Sequence, residues 1–305
     1  MDGIVNLLKP PGPTSHDMVQ KMRRLTKQKR IGHAGTLDPG ASGVLVIGIG
    51  KGTRILEYLL DQKKTYITEV VFGSSTTTAD AYGEVIESKK GSITKKQLEK
   101  VINEFIGQLE QIPPMASAVK IGGRKLYELL REGQVIDRKP RQIEIYSLKI
   151  IQAPDIIYAG DRVVMEAQVS KGTYIRTLCQ DIGERLGLPA HMGFLLRTAS
   201  GGLNINNSLL LEEVCNKLNK KEEFLIPPDQ ALNFSRVFAR EDKEKALRNG
   251  QTLNVDDVTF STQLNQDELV RLYSASNEFV GIYRFLVQDD KPILKPEKVL
   301  FDVGR

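Results

Sequence analysis

Apolar residues in this chain recur with two different spacings, which together predict a mixture of short strands and helices. Strands are expected at Gly3–Leu8 and at Lys64–Phe72, the second of which is rich in Thr, Val and Ile. Apolar and polar residues alternate near Ile143–Ile151 and Val163–Val169, and this period of two predicts a further pair of strands. With the helices described next, these segments indicate an α+β fold around a mixed or mainly antiparallel sheet.

Helical spacing of apolar residues predicts three helices in the larger part of the chain. Thr14 and Asp17 fit a capping box that opens the first helix, and Thr94 with Gln97 fits one that opens the second. The third helix is expected at about Thr173–Leu186. The first helix ends in a basic cluster, which is usually a solvated surface but here precedes a glycine-rich loop and therefore favours contact with phosphates. This cluster consists of Lys21, Arg23, Arg24, Lys27, Lys29 and Arg30.

The dipeptide Pro227-Pro228 interrupts the pattern and predicts a domain boundary. We expect one domain over residues 1–232 and a smaller, β-rich domain over residues 233–305. A short helix is predicted at Asp242–Arg248, and a turn at Ser274–Asn277 joins the first two of three later strands into a hairpin. The three strands are Leu269–Tyr273, Phe279–Leu286 and Lys298–Val303.

The composition is that of a soluble globular protein with a modest basic excess. The 305 residues are 40% hydrophobic and 27% charged, and the net charge is +5 with a pI of about 9.0. This length is enough for one large hydrophobic core or two moderate ones. The basic excess is compatible with an ordinary solvated surface, but a nucleic-acid partner is the more specific interpretation.

The spacing of cysteines and histidines indicates neither a disulfide framework nor a metal centre. Cys179 and Cys215 form no CxxC pair, and His16, His33 and His191 lack the spacing of metal ligands. The N-terminus lacks the pattern of a signal peptide, and no apolar run approaches the roughly 20 residues of a membrane helix. We therefore expect a cytoplasmic protein with reduced thiols, no metal and no membrane contact.

The segment Gly32–Gly43, GHAGTLDPGASG, is the most unusual run of the sequence. It contains four glycines, one imidazole from His33 and one carboxylate from Asp38. Glycine permits backbone conformations that other residues avoid, and Pro39 biases Asp38 towards an extended conformation. Because the apolar run VLVIGIG follows at once, we expect a rigid loop that presents one acid and is anchored by a buried strand or helix. The glycine spacing fits neither a P-loop nor a dinucleotide-binding motif.

The whole of this loop resembles the central motif of the TruB family, the tRNA pseudouridine-55 synthases. Four further segments match that family in the same order, and the dense part of the match covers roughly the first three quarters of the chain. These segments are LLKPPGPTSHD, KTYITEV, PPMASAVKIGGRKLYELLREG and SKGTYIRTLCQDIG.

The resemblance implies a pseudouridine synthase fold in residues 1–232 and a PUA-like RNA-binding β-barrel in residues 233–305. The segment Lys120–Arg141 corresponds to a thumb that closes over the RNA. It is rich in Lys and Arg, contains glycines that could act as hinges, and is expected to hold a short helix around Leu126–Leu130. For the C-terminal part the match is loose, so that a β-barrel of unknown role stays open as an alternative.

The resemblance also assigns the chemistry to individual residues. Pseudouridine formation breaks the N1–C1′ bond of uridine and joins the sugar to C5 without gain or loss of atoms, so that no metal, redox step or cofactor is needed. Asp38 corresponds to the catalytic aspartate, which attacks either C6 of the base or C1′ of the sugar, and the sequence does not decide between these routes. Arg176 corresponds to the arginine that pairs with this aspartate. Tyr66 corresponds to the tyrosine that stacks on the base and helps to remove the C5 proton.

Five further residues are expected to bind the substrate, which the resemblance implies is uridine 55 in the TΨC loop of tRNA. His33 corresponds to the residue that fills the gap left when the uridine leaves its stack, a step that costs a few kcal/mol. Tyr174 and Leu195 correspond to walls of the base pocket, and Asp80 to an acid in the charge network around the arginine. Lys9 either contacts RNA or supports the loop.

Three other functions compete with a stand-alone synthase. A protein that remodels tRNA without chemistry would use the same basic surfaces, and a guide-RNA-dependent synthase would share the catalytic motifs. Because those motifs begin almost at Met1, we favour the stand-alone enzyme, acting as a monomer without an obligate protein partner. A glycosidase is less favoured because it ordinarily uses two carboxylates that flank the scissile bond, and only Asp38 is obvious near the loop.

Overall fold

A computed structural model of the protein describes residues 1–117, 119–134 and 136–300. The first part of the chain contains β1 (Gly3–Lys9), α1 (Ser15–Thr26), β2 (Ile31–Ala34), β3 (Ser42–Ile49), α2 (Leu56–Leu60), β4 (Lys64–Phe72), β5 (Ser74–Thr76), β6 (Val85–Ser88), β7 (Ser92–Thr94), α3 (Lys95–Glu104), β8 (Gly107–Gln111), β9 (Lys120–Ile121), β10 (Arg124–Lys125) and α4 (Leu126–Arg131). The second part contains β11 (Arg141–Gln152), β12 (Ile156–Tyr158), β13 (Arg162–Val169), α5 (Ile175–Arg185), β14 (Ala190–Ser200), β15 (Leu203–Asn204), α6 (Leu211–Lys220), β16 (Ser235–Ala239), α7 (Glu244–Arg248), β17 (Leu253–Asn254), β18 (Val258–Phe260), β19 (Leu269–Tyr273), β20 (Phe279–Gln288) and β21 (Lys291–Val299).

The larger sheet carries the loop with the single carboxylate. Seven of its nine strands follow the order β1-β3-β14-β4-β13-β11-β8, while β2 and β15 pair with β3 and β14. Among the described residues, the one parallel pairing of this sheet joins β3 to β14, and the other pairs are antiparallel. The predicted α+β fold with a mixed, mainly antiparallel sheet is therefore confirmed.

Strand β3 is buried on both of its faces. Val44 and Val46 pack in a cluster with Leu59 of α2, whereas Leu45 and Ile47 pack in another with residues of α1. Successive side chains of a strand point to opposite faces, so a strand covered on both sides needs the continuous apolar run found here. The buried element predicted after the loop is thus a strand, and it fixes the end of the loop in the core.

Residues between β8 and β11 form a small substructure at the edge of the larger sheet, where the thumb was predicted. The hairpin β9–β10 leads into α4, and Leu126 and Leu129 of this helix pack with Met115 in a cluster of their own. Nη1 of Arg138 donates to the carbonyl of Pro113 at 3.0 Å, which ties the end of the segment to its start. The predicted short helix in this segment is confirmed as α4.

A second sheet of six strands occupies residues 235–299, in the order β17-β21-β20-β19-β16-β18. The predicted hairpin is confirmed as β19 and β20, with Asn277 at a φ of 64° in its turn. The predicted helix Asp242–Arg248 is the shorter α7, which a 3-10 turn at Glu241–Lys243 precedes. The sheet begins three residues after the predicted boundary between residues 232 and 233, and that boundary itself stays a prediction.

The predicted strand Lys298–Val303 is wrong in its bounds. Strand β21 runs from Lys291 to Val299, and residues 301–305 lie outside the described part of the chain. Pro292 and Pro296 obscured it, because proline cannot donate to a strand ladder and argues against a central strand. It is tolerated here because β17, on one side of β21, pairs only with Ile293 and Leu294.

The two sheets share one hydrophobic cluster. Ile4 and Val46 of the larger sheet meet Leu232 and Ile282 there, all of them buried. The second sheet therefore packs against the larger one beside the strands that carry the loop. Within the described residues, no helix combines the length and the apolar character needed to cross a membrane.

Candidate active site

The loop that carries Asp38 leaves the larger sheet at the point where β3 changes its neighbour. Strand β3 pairs with β2 over Val46–Ile49 and with β14 at its first two residues. The chain from Gly35 to Ala41 projects from the gap between these two partners. Gly43, at a φ of 115°, is needed at the end of the loop, since a Cβ there would lie 2.2 Å from the carbonyl oxygen of Arg197.

The side chain of Arg197, in β14, holds both ends of this loop. Its side chain is fully buried, and it donates from Nε to the carbonyl of Val44 at 2.8 Å, from Nη2 to that of Gly35 at 2.8 Å and from Nη1 to that of Thr36 at 3.4 Å. Buried carbonyls require donors, and a guanidinium supplies five from one side chain. One arginine therefore ties the start of the loop to its end.

Lys9 and Ser15 support the loop from the other elements. Nζ of the fully buried Lys9 donates to the carbonyls of Pro39 at 3.1 Å and Ala41 at 2.6 Å, and burial lowers the pKa of this lysine to about 8. The hydroxyl of Ser15 accepts from the amide of Leu37 at 2.9 Å and donates to its carbonyl at 3.2 Å. Of the two roles that the sequence left open for Lys9, its burial favours support of the loop over contact with RNA.

Arg176, at the start of α5, forms a bidentate pair with Asp38. Nε lies 3.0 Å from Oδ2 of the carboxylate, and Nη2 lies 3.3 Å from Oδ1. The same guanidinium donates to the carbonyls of Ala116 at 2.8 Å and Thr78 at 3.1 Å, and its Nη1 lies 3.8 Å from Asp80. Because the arginine is only 5% exposed and held by four groups, it can fix the direction of the carboxylate.

Burial and the neighbouring charged groups together set the pKa of Asp38. Burial raises the pKa of Asp38 above its ordinary value, Arg176 opposes this shift, and the nearby Asp80 adds to it. The arginine predicted from the sequence is thus present, but it does not outweigh the loss of water around the acid. The Asp38 side chain is nevertheless 40% exposed, so the carboxylate is paired with a cation and still accessible to a ligand in the neighbouring cavity.

The pair lies in the wall of a cavity of about 250 Å³. Four of the residues predicted from the sequence line this cavity together with Asp38, and the ring of Tyr66 and the side chain of Leu195 contribute apolar surface. These four are Tyr66, Tyr174, Leu195 and Arg176. The cavity is also lined by Lys64, whose Nζ donates to the carbonyls of Leu60 at 2.6 Å and Gln62 at 3.0 Å.

The structure does not bring every predicted residue into this cavity. Asp80 contacts Arg176 but does not line this cavity; it lines a second cavity, of about 450 Å³, which Asp38 and Arg176 also border. His33 is half-buried in β2, opposite Ile47 of β3, and is not among the lining residues. Burial lowers the pKa of this histidine, so its ring is neutral at pH 7 and suited to stacking rather than to charge pairing.

Sequence reasoning missed two features of the site. Arg197 was not singled out, although it stands two residues after Leu195, and residues at this spacing share one face of a strand. The carbonyl of Ala116 was missed as well, because a backbone group that binds Arg176 leaves no mark on the residue type. Both features depend on contacts between segments that are distant in the sequence.

Comparison with known proteins shows the class to which this fold and site belong. Residues 23–175 match the family model described as the TruB family pseudouridylate synthase (N terminal domain), and residues 176–233 match the tRNA pseudouridylate synthase B C-terminal domain. The fold that carries the aspartate–arginine pair is thus that of a pseudouridine synthase. The border between the two models falls at the first turn of α5, within the larger sheet's core.

Curated relatives cover nearly the whole chain. A tRNA pseudouridine synthase B of Pelotomaculum thermopropionicum is 43% identical over 89% of this chain and 88% of the relative, and one of Bacillus cytotoxicus is 41% identical over 98% and 97%. The chain belongs to the TruB family. Its fold also resembles a solved structure of a Cbf5-Nop10-Gar1 complex, with a TM-score of 0.77, 26% identity and coverage of 98% of this chain and 85% of that one.

Proposed function

We propose that this chain isomerises uridine 55 in the TΨC loop of tRNA to pseudouridine, with Asp38 as the nucleophile and without a cofactor. The relatives that bear the name tRNA pseudouridine synthase B support the substrate class. The position of Asp38 in the motif that resembles the family's catalytic segment supports its role. A tRNA substrate is consistent with an enzyme of the cytoplasm.

The observation that carries the proposal is the Asp38–Arg176 pair in the wall of the cavity. The cavity beside the pair has a volume of about 250 Å³, which is suited to a small planar ring such as uracil rather than to a larger ligand. The cavity therefore accepts the base once it has left the RNA stack. Tyr66 offers the flat face on which the base can lie.

The reaction follows from this arrangement and conserves every atom. The carboxylate of Asp38 attacks C6 of the base or C1′ of the sugar, and the N1–C1′ bond breaks. After the base turns, C5 bonds to C1′, and the bond between Asp38 and the substrate breaks, so that the carboxylate is regenerated: C5 displaces it if it was on C1′, and it is eliminated if it was on C6. The C5 proton leaves with the help of Tyr66, and N1 gains a proton. Arg176 holds the carboxylate in the direction of attack and balances its charge, which is positioning worth several kcal/mol when the geometry is correct.

The uridine must first leave its stack in the tRNA loop. His33 then occupies the gap with its neutral ring, which offsets part of the cost of unstacking. The thumb closes over the RNA, and the carbonyl of Ala116 connects the base of the thumb to Arg176. Closure of the thumb and orientation of the catalytic pair are in this way linked.

The enzyme acts as a monomer without a guide RNA or an obligate partner protein. The solved Cbf5 complex contains two further proteins, Nop10 and Gar1. This chain is, however, more similar to the tRNA pseudouridine synthases B, at 43% identity, than to that structure, at 26%. The stand-alone activity is therefore the expected one.

A tritium-release assay tests the proposal. Purified protein is mixed in excess with an unmodified tRNA transcript that carries [5-³H]uridine, and the released tritium is counted. The proposal predicts release of one tritium per tRNA, and none from a transcript in which uridine 55 is replaced by cytidine. Absence of release from the uridine transcript, or equal release from both, would reject it.

A further inference from the structure

We propose that Lys171 binds one of the phosphates next to the target uridine. In the absence of RNA this lysine is paired with Asp61, and the phosphate replaces Asp61 when the RNA binds. The inference rests on the proposed function and deepens it. One exposed ion pair beside the cavity would then bind and position the RNA backbone at the target nucleotide. In the free enzyme, Nζ of Lys171 lies 2.7 Å from Oδ1 of Asp61.

The Lys171–Asp61 ion pair lies beside the cavity that contains Asp38. Lys171 follows β13, precedes α5 and lines the cavity that contains Asp38. Leu60, the neighbour of Asp61 in the chain, lines the same cavity. Both charged side chains are well exposed, at 59% for the lysine and 60% for the aspartate. The ion pair therefore lies at the mouth of the cavity rather than in its floor.

The other cations around the cavity are already occupied. Arg197 is fully buried and donates to three carbonyls, and Lys64 is buried and donates to two. Arg176 is paired with Asp38. Among the described residues that line the cavity, Lys171 is thus the cation whose ammonium group remains accessible to a ligand from outside.

The shape of a nucleotide keeps its phosphates near this ion pair. When the base enters the cavity, its ribose and the adjacent phosphates must stay at the opening, because the RNA backbone continues outside. An exposed ion pair contributes little to stability and opens easily. Gly172, at a φ of 83°, has no atom within 4 Å of the place where a Cβ would stand, so the lysine's loop has space to move. A phosphate can therefore replace Asp61 as the partner of Lys171 at low cost.

Two substitutions with opposite expected effects test this exchange. Lys171→Gln should weaken binding of a labelled T-arm stem-loop about five-fold and reduce the slope of log K against log salt by about 0.9. Asp61→Asn should strengthen binding about two- to three-fold, because the competing anion is gone. Arg162→Gln, which removes an exposed arginine paired with Glu69 away from the cavity, is the matched control and should leave binding unchanged.

A neutral backbone identifies the contact. A methylphosphonate linkage carries no charge and so cannot pair with Lys171. Placed on one side of the uridine, it should make the affinities of the wild type and of Lys171→Gln for the stem-loop equal. Placed on the other side, it should leave the difference between these two affinities unchanged. The inference is overturned if Asp61→Asn weakens binding as Lys171→Gln does, or if both linkages preserve the difference. Failure of the proposed function would be recognised separately, by the absence of tritium release from the wild type.

Discussion

Arg197 offers the sharpest test of how the loop of Asp38 is held. Arg197→Met keeps a side chain of similar length but removes the donors to Val44, Gly35 and Thr36. Each short bond from a charged donor contributes about 1.5–3 kcal/mol, so the two bonds at 2.8 Å amount to about 3–6 kcal/mol. Removal of a buried charge offsets part of this loss, and a net decrease of about 3 kcal/mol in the free energy of unfolding is expected.

Thermal unfolding followed by circular dichroism measures this change, since the chain contains no tryptophan for fluorescence. A loss of about 3 kcal/mol lowers the melting temperature by roughly 6–12 °C in a protein of this size. Arg162→Met, at an arginine whose side chain is 64% exposed and paired with Glu69, is the control and should cost at most about 1 kcal/mol.

The same substitution should also slow the reaction. Loss of the tie between the two ends of the loop displaces Asp38, and a displacement of about 1 Å can cost roughly 100-fold in rate. We expect single-turnover tritium release to fall by about this factor while the affinity for tRNA changes little. A melting temperature within about 2 °C of the wild type, together with an unchanged rate, would refute the structural role of Arg197.

Three further predictions concern the site. Because burial raises the pKa of Asp38, the single-turnover rate should decrease on acidification at a pH above 3.8, the ordinary pKa of an aspartate. Arg176→Met removes a group that lowers this pKa and should therefore shift the decrease in rate to higher pH. An unshifted pH profile contradicts the pairing of Asp38 with Arg176. Tyr66→Phe should slow tritium release without weakening tRNA binding, and an unchanged rate would remove its hydroxyl from the mechanism. Ser15→Ala should lower the free energy of unfolding by about 1–2 kcal/mol through loss of both bonds to Leu37, seen by thermal unfolding; an unchanged melting temperature contradicts this.

The sequence was informative where the structure is local. Strand β4 shows clear alternation and was predicted with its observed bounds, and the capping boxes of α1 and α3 were recognised from Thr14 and Thr94. The approach of Asp38 to Arg176 joins residues 138 positions apart. It was accessible only through the resemblance to a family, because periodicity carries no information on long-range contacts.

Other parts of the fold were hidden for physical reasons. Strand β14 lies in the middle of the larger sheet, but Gly193 and the buried Arg197 interrupt its apolar pattern. A charged residue in a strand normally indicates exposure, and only tertiary hydrogen bonds make the opposite possible. Lys9 presented the same difficulty, since a lysine before two prolines resembles a surface turn and yet its side chain is fully buried.

Single-turnover tritium release by Asp38→Asn tests the role of the nucleophile most directly. Asp242→Asn, which changes an exposed aspartate in the part of the chain that forms the second sheet, is the control. An amide has the shape of the carboxylate but lacks its charge and nucleophilicity. We expect no product from Asp38→Asn, tRNA affinity within about three-fold of the wild type, and normal turnover by the control. Product formation by Asp38→Asn at a rate near that of the wild type would contradict this role of Asp38.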